Sequence, residues 1–456
     1  MNFAPYPKYK PSDVEWLSHL PEHWDVKPLR SVFRFSKGLT ITREDLRDDG
    51  VSCVNYGEIH SKFGFRLDPD VHQLRSVALD YLDSNPDALI YNGDFVFADT
   101  SEDLPGCGNF TYLCTDNLIF AGYHTIIGRP RVGISSLYLA YLIDSSAFRS
   151  QIQKQARGVK VFSITQGILK AAKCVCPPLP EQRVIAAFLD RETAKIDALV
   201  EEQRKLIELL KEKRQALITH AVTKGLNPKA KMKDSGIEWL GQVPEHWDFR
   251  KLSHLGNIVG GGTPSRNNPD YWNGDIPWVS SKDIKVAHIS DSEEHITSRG
   301  LAESTTRLVQ PGTILMVVRS GILQHTLPVA ISRSTVAINQ DIKAIAFFED
   351  TIVASYFRYF VVGYNNQLLY DWSTQGATVE SIDMNLLRKT LIPVPPVDEQ
   401  EEIALHLQHD GQRFDGLIHE ASTAIELLTE RRTALISAAV TGKIDVRDMI
   451  DEEATT

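Results

Sequence analysis

At 456 residues the chain exceeds what one hydrophobic core serves, and about two to four domains are expected. Hydrophobic residues make up 42% and charged residues 24%, and no apolar run approaches the roughly 20 residues a membrane helix needs, so no span or anchor is expected. A formal net charge of −10 excludes a surface that is basic throughout and leaves nucleic-acid binding only to a restricted face.

The opening stretch MNFAPYPKYKPSD has no apolar secretion core, so the cytoplasm is the expected location. Residues 12 to 29, SDVEWLSHLPEHWDVKPL, then introduce a pattern that returns at residues 235 to 252 as SGIEWLGQVPEHWDFRKL, with ten of eighteen positions identical. Trp16 and Trp24 fall in register with Trp239 and Trp247, which marks an internal repeat. Because both copies share these tryptophans, packing is their expected role.

From residue 30 to residue 175 the chain shows short β-rich runs, such as Asp94-Phe95-Val96-Phe97, between Gly, Pro, Asn and Asp clusters. This is a mixed α/β texture. Five cysteines (Cys53, Cys107, Cys114, Cys174, Cys176) form an odd set without CxxC spacing, which argues against a disulfide framework and a zinc knuckle.

The run Pro177-Pro178-Leu179-Pro180-Glu181-Gln182 breaks the β texture and opens a helical pattern that continues to Val222. Apolar spacing every seven residues, through Leu189, Ile196, Gln203, Leu210 and Leu217 with Ile185, Leu199 and Leu206 beside it, predicts a coiled-coil partner on the order of 60 Å long. A polar linker, residues 223 to 234, stops the helix with Gly225 and Pro228.

The second filling, residues 253 to 393, differs in sequence but keeps the texture, with Thr313-Ile314-Leu315-Met316-Val317-Val318 as its plainest strand. Its Gly260-Gly261-Gly262 is followed by Thr-Pro, so a turn at a strand end is expected there in preference to a phosphate cradle. The closing motif returns as Pro395-Pro396-Val397-Asp398-Glu399-Gln400, offset by 218 residues, and the second helix carries a seam of Leu407, Phe414, Ala421, Leu428 and Leu435. Two stripes at one offset in a duplicated chain predict that the helices pair with each other, antiparallel, about a pseudo-twofold axis.

Catalytic signatures do not appear. The two PP pairs lack the polar residue and aromatic of an adenine-N6 methyltransferase loop. No GxxxxGK[ST] phosphate loop occurs, and His419-Glu420 has no second histidine at zinc-site spacing.

In this order, EWL…PEHW, then PPLPEQ or PPVDEQ, then a long helix, twice over, the chain resembles the specificity subunits of Type I restriction-modification systems across almost its whole length. The linker TKGLNPKAKMKDSGIEWL, the run Gly261-Gly262-Thr263-Pro264-Ser265 and the run Tyr271-Trp272-Asn273-Gly274-Asp275-Ile276-Pro277-Trp278-Val279 carry the same resemblance, as do Asn55-Tyr56-Gly57-Glu58-Ile59 and Asn92-Gly93-Asp94. It implies a first target-recognition domain over residues 1–180, a helix over 181–222, the linker 223–234, a second recognition domain over 235–397 and a second helix and tail over 398–445. It also implies a non-catalytic reader of double-stranded DNA, each domain contacting one half of an asymmetric bipartite target. The helices would set the spacing and dock two methyltransferase subunits, joined by motor-nuclease subunits. S-adenosylmethionine, ATP and Mg2+ would belong to those partners, with no cofactor or metal in this chain and no membrane contact. The competing readings are a duplicated protein-joining scaffold, which the acidic charge favours, and a fused methyltransferase-nuclease, which the missing motifs disfavour.

Base readout requires donors and acceptors on groove-facing loops. The candidates after strand-like runs are Asn55, Tyr56, Thr100, Ser101, Arg157, Lys160 and Ser163 in the first domain, and Ser281, Lys282, Arg319, Ser320, Asn339, Gln340, Gln375 and Thr378 in the second. Arg157-Gly158-Val159-Lys160 aligns at 218 with Gln375-Gly376-Ala377-Thr378, a glycine-centred loop with changed polar neighbours.

Overall fold

The computed structural model describes residues 3–374 and 379–449. The chain divides into two compact units, residues 1–203 with 423–456, and residues 204–422. Both divisions fall inside a long helix, Leu179–Lys224 or Val397–Val440.

One plan builds both units. In the first, a five-stranded sheet runs in the order Phe33–Lys37, Thr125–Pro130, Phe95–Ala98, Phe110–Leu113, Arg66–Leu67, beside a four-stranded sheet of Arg75–Val77, Val51–Val54, Ile119–Ala121 and Leu89–Ile90. In the second, the five are Gly256–Gly260, Ile342–Phe347, Ile314–Val317, Val329–Ser332 and His288–Ile289, and the four are His295–Ile296, Trp272–Val279, Val336–Ile338 and Arg307–Val309. Both sheets of each unit mix parallel and antiparallel pairs. Their central strands are buried on both faces, so they read as continuous apolar runs rather than alternating ones.

The repeated motifs meet each other. In the first unit Glu181 Oε1 accepts from Trp24 Nε1 at 3.0 Å and from the Tyr6 hydroxyl at 2.7 Å, while Oε2 lies 2.7 Å from His23 Nε2. In the second, His246 Nε2 lies 2.8 Å from Glu399 Oε2. Gln182 and Gln400 each accept a backbone N–H, from Ser135 and Val353, and donate to the carbonyls of Pro177 and Pro395. Trp24 and Trp247 are fully buried, and Trp16 and Trp239 pack half-buried at the core edge, so the tryptophans are scaffold as expected.

A proline pair cannot extend the edge strand Lys173–Cys176 or Leu391–Val394, and both long helices begin within two residues of it. Each helix stops at a left-handed glycine, Gly225 at φ 69° and Gly442 at φ 72°, where a Cβ would come within 2.8 Å of Glu399 and 2.5 Å of Pro21 respectively. Within the first unit the start of the first helix and the end of the second share one core, through Ile185, Leu189, Ile436 and Val440. Within the second unit the same is true of Ile218, Val222, Ile403 and Leu407.

Of the seam positions, Leu189, Ile196, Leu407 and Ala421 are buried and Gln203, Leu210, Leu217, Phe414, Leu428 and Leu435 half-buried. Leu199 and Leu206, expected beside that seam, are exposed. A helix of 3.6 residues per turn that uses one position per heptad presents a narrower stripe than a full two-position seam.

All five cysteines are free thiols. Among the described residues no helix is long and apolar enough to cross a membrane, and no group of three His, Cys, Asp or Glu residues could hold a metal ion.

Candidate nucleic-acid interface

Strand ends build the candidate site in each unit. In the first, the parallel strands Val51–Val54 and Ile119–Ala121 finish side by side, locked by the Gly122 N–H to Val54 carbonyl bond of 2.7 Å. Beyond them Asn55 starts the short helix Tyr56–Ser61 in a capping box with Glu58, and its side-chain oxygen accepts the Tyr123 N–H at 3.2 Å. The strand Phe95–Ala98 delivers Asp99, Thr100 and Ser101 to the same end. There Asp99 donates its N–H to the His124 carbonyl at 3.0 Å and holds His124 Nδ1 at 3.1 Å. His124 takes a left-handed φ of 55° to make that turn.

A loop closes over this end. Thr100–Ser101 pairs with Phe162–Ser163, and Ser163 in turn donates its N–H to the Arg157 carbonyl at 2.9 Å. Gly158, at φ 152°, is needed in the loop because a Cβ would stand 1.9 Å from the Val161 carbonyl. At its tip Val159 is 95% exposed, beside Val161 and Lys160.

The second unit repeats the arrangement. Asn339 N–H bonds the Val279 carbonyl at 3.0 Å, Val318 N–H bonds the Asp341 carbonyl at 2.8 Å, and Ile382 N–H bonds the Val318 carbonyl at 2.9 Å. Gly122–Tyr123–His124 therefore corresponds to Asn339–Gln340–Asp341, and Thr100–Ser101 to Arg319–Ser320.

The structure thus brings together Asn55, Tyr56, Thr100, Ser101, Arg157, Lys160 and Ser163, and likewise Ser281, Lys282, Arg319, Ser320, Asn339 and Gln340; Gln375 and Thr378 lie outside the described residues. Three candidates are turned inward. Asn55 is 2% exposed with its amide bonded on both sides, Ser101 donates to the Asp103 carbonyl, and Asn339 is tied to Asp341. Their bonds shape the loops. Arg319 is exposed, and among the described residues its guanidinium has no hydrogen-bond or ion-pair partner.

Sequence reasoning missed Tyr123, His124, Val159 and Val161. Tyr56 stands edge-on to His124 at 5.3 Å and to Tyr123 at 5.7 Å, an aromatic cluster at the mouth of the cleft. Burial, together with neighbouring Tyr56 and Glu58, raises the Tyr123 phenol above its ordinary value, so it stays a neutral donor at physiological pH. The signal was present in the second repeat, where Asn339 and Gln340 occupy the corresponding turn.

In Gly260-Gly261-Gly262, Gly261 lies against the Ile338 and Asn339 carbonyls, and a Cβ there would approach the first to 1.8 Å. Gly38 meets the Gly122 carbonyl in the same way at 2.3 Å. These glycines permit close backbone approach at the strand end, the turn role expected for them.

A family model described as Type I restriction modification DNA specificity domain matches residues 21–209 and again 244–426. The specificity subunit of the EcoR124I/EcoR124II enzyme of Escherichia coli is 34% identical over 186 residues, 41% of this chain and 45% of that protein. The MjaIX specificity subunit of Methanocaldococcus jannaschii is 33% identical over 193 residues, 41% of this chain and 42% of that protein. Each of these two alignments spans less than half of the relative's length. The putative MjaX specificity subunit of the same organism is 24% identical over 448 residues, 94% of this chain and 96% of its own.

The fold is similar to a chain from a study of complex assembly and conformational transition of the type I R-M system, with a TM-score of 0.67, 18% identity, and coverage of 93% of this chain and 99% of that one. It is also similar to the HsdS subunit from Thermoanaerobacter tengcongensis, with a TM-score of 0.53, 16% identity, and coverage of 93% and 98%. With one family model matching both repeats over most of the sequence, the chain belongs to the family of the Type I restriction modification DNA specificity domain.

Proposed function

We propose that this chain is the non-catalytic reader of a bipartite DNA target, each recognition domain contacting one half-site through its strand-end loops. The observation that carries the reading is that one set of backbone bonds recurs in both units while the side chains it presents differ. Tyr123 and His124 stand where Gln340 and Asp341 stand, and Thr100 where Arg319 stands. Two readers of unlike half-sites need a common frame and different donors.

The long helices are read as an antiparallel pair that sets the spacing. Arg432 lies 2.9 Å from Asp197 in the first unit, and Arg214 lies 2.6 Å from Asp415 in the second, which supports one register for both contacts. Two methyltransferase subunits would dock on the helices. Exposed Leu199 and Leu209 recur at an offset of 218 as exposed Leu417 and Leu427, so two equivalent apolar sites are available. S-adenosylmethionine, ATP and Mg2+ would act in the methyltransferase and motor-nuclease partners, directing adenine-N6 methylation and restriction in the cytoplasm.

The test is co-expression with the methyltransferase subunit and single-molecule mapping of N6-methyladenine. One interrupted motif is expected, changed in only one half when residues 253–393 are replaced by another recognition domain. Assembly without sequence-specific methylation would favour a scaffold instead.

A further inference from the structure

In the second unit a cavity of about 530 Å³ lies between one end of the five-stranded sheet, the helix Ala354–Gly363 and both long helices. Arg214, His288, Arg333 and Arg358 line it, with Asp415 as the single carboxylate. Asp415 is taken up by Arg214 at 2.6 Å. Among the described residues no ion pair or hydrogen bond holds the guanidinium of Arg333 or Arg358, and the buried Arg358 Nε and His288 Nδ1 have no partner.

The first unit shows how the same corner looks when its charges balance. There Asp190 takes Arg66 and the Tyr141 hydroxyl, and the Arg432 guanidinium sits between Asp197 at 2.9 Å and Asp144 at 3.7 Å. At the offset of 218, Asp190 becomes Gln408, Asp144 becomes Val362, Ala140 becomes Arg358, and Thr193, which bonds Tyr141, becomes Gly411. Cys114, whose N–H bonds the Leu67 carbonyl, becomes Arg333, whose N–H bonds the Ile289 carbonyl. The second unit has lost two carboxylates and gained the guanidinium groups of Arg333 and Arg358, while His288 stands in place of Arg66 and Gln367 in place of Arg149, so the corner becomes more positive.

We propose that this cavity is a binding site for a phosphate-class oxyanion, gripped by Arg333 and Arg358 with His288 as a further donor. Two guanidinium forks suit bidentate contact with such an anion. Val353 gives the helix Ala354–Gly363 no side-chain cap, and Val353, Ala354 and Ser355 line the same space. The anion is not a phosphate of DNA held at the readout loops. Gly312 and Arg333 line the cavity, whereas Arg319 follows the other end of the strand Ile314–Val317, about 20 Å away at roughly 3.3 Å per residue.

The experiment titrates inorganic phosphate into the full-length chain in phosphate-free buffer, by calorimetry and thermal unfolding, against chloride of equal ionic strength. One saturable site that raises the unfolding temperature is expected, with at least tenfold weaker binding in both Arg333→Gln and Arg358→Met. Without phosphate, Arg358→Met unfolds at a higher temperature than the parent, because a half-buried cation without a carboxylate partner has gone. Gln408→Asp restores the first unit's carboxylate and abolishes the phosphate response in a folded chain. A nucleoside triphosphate that binds tighter than free phosphate identifies a nucleotide as the source; equal affinity identifies the free anion. The proposal is overturned if phosphate does no more than chloride, or if both arginine variants respond like the parent. It is equally overturned if phosphate has no effect while these variants weaken methyltransferase assembly, since a partner's carboxylate would then be the occupant.

Discussion

Removing the same carboxylate from the two repeats should have unequal consequences. Glu181 serves Trp24 Nε1, the Tyr6 hydroxyl and His23, and both Trp24 and Tyr6 are buried. Burial and the bond to Glu181 push the Tyr6 phenol well above its ordinary value, so it remains a neutral donor. Among the described residues Glu399 holds only His246, which is half exposed, and Trp247 Nε1 has no partner. Glu181→Ala strands the Trp24 donor, at about 1–3 kcal/mol, and loses charge-assisted bonds besides, so a cost of about 3 kcal/mol is expected. Glu399→Ala loses a surface ion pair of about 0–1 kcal/mol. The void left by the missing side chain is common to both, so the difference isolates the hydrogen bonds. At roughly 2–4 °C per kcal/mol for a unit of this size, thermal unfolding of the full chain should drop by about 6–12 °C for the first variant and at most a few degrees for the second. Glu181→Gln keeps an acceptor oxygen and should recover most of the loss. Equal drops at the two sites, or no recovery with glutamine, would refute the assignment of the stability to this buried carboxylate.

Arg319→Ala should cost about 1–3 kcal/mol in DNA binding and relax one position of a single half-site, seen as a degenerate base in the methylation motif; a uniform loss on all sequences would make it a phosphate contact. Leu209→Glu or Leu427→Glu alone should leave unfolding unchanged but halve the number of methyltransferase subunits bound, measured by native mass spectrometry, since each leucine is 61% exposed. Burial first, then Arg333 and Arg358, hold the His288 imidazole below its ordinary 6.5. The folded state therefore takes up fewer protons, and this contribution is whole above about pH 6.5 and is lost as pH falls below it. His288→Asn in phosphate-free buffer should flatten that acid limb, with Arg214, Arg333, Arg358 and Asp415 unchanged around it. Among the described residues the cations at these loops without an ion-pair partner are chiefly Arg157, Lys160, Lys282 and Arg319, so DNA binding by the isolated chain should show a log–log salt slope no steeper than about −4, at roughly −0.9 per phosphate.

The duplication, the helices and the mixed α/β class were legible because their signals are local: tryptophans in register, a proline pair, a seven-residue stripe. The strand ends proposed for readout were only half legible. Counterpart residues are offset by 225 at Val54 and Val279, by 219 at Asp99 and Val318, and by 217 at His124 and Asp341. A single offset of 218 therefore aligned the frame and the loop after Arg157 but passed over Tyr123 and His124. Nor could residue type alone tell Asn55 from Tyr56, since asparagine is as good a helix cap as a base reader, and which it is depends on Tyr123 arriving from another strand.

The same comparison separates frame from function elsewhere. Positions that keep their chemistry in both units, such as Glu181 with Glu399, Gln182 with Gln400 and Tyr138 with Tyr356, all bond backbone or packing groups. Changes at exposed loop positions are independent, since each can drift without stability cost. The cavity corner behaves otherwise. Ala140 to Arg358, Cys114 to Arg333, Asp144 to Val362 and Asp190 to Gln408 make the corner more positive, Arg66 to His288 and Arg149 to Gln367 offset only part of that, and among the described residues Arg358 Nε is buried without a partner. A half-buried guanidinium with no carboxylate beside it loses part of its hydration, and a bound anion would offset that loss. Within the second unit Asp415, the single carboxylate lining the cavity, is engaged by Arg214, so the proposed anion is the charge that would balance this corner.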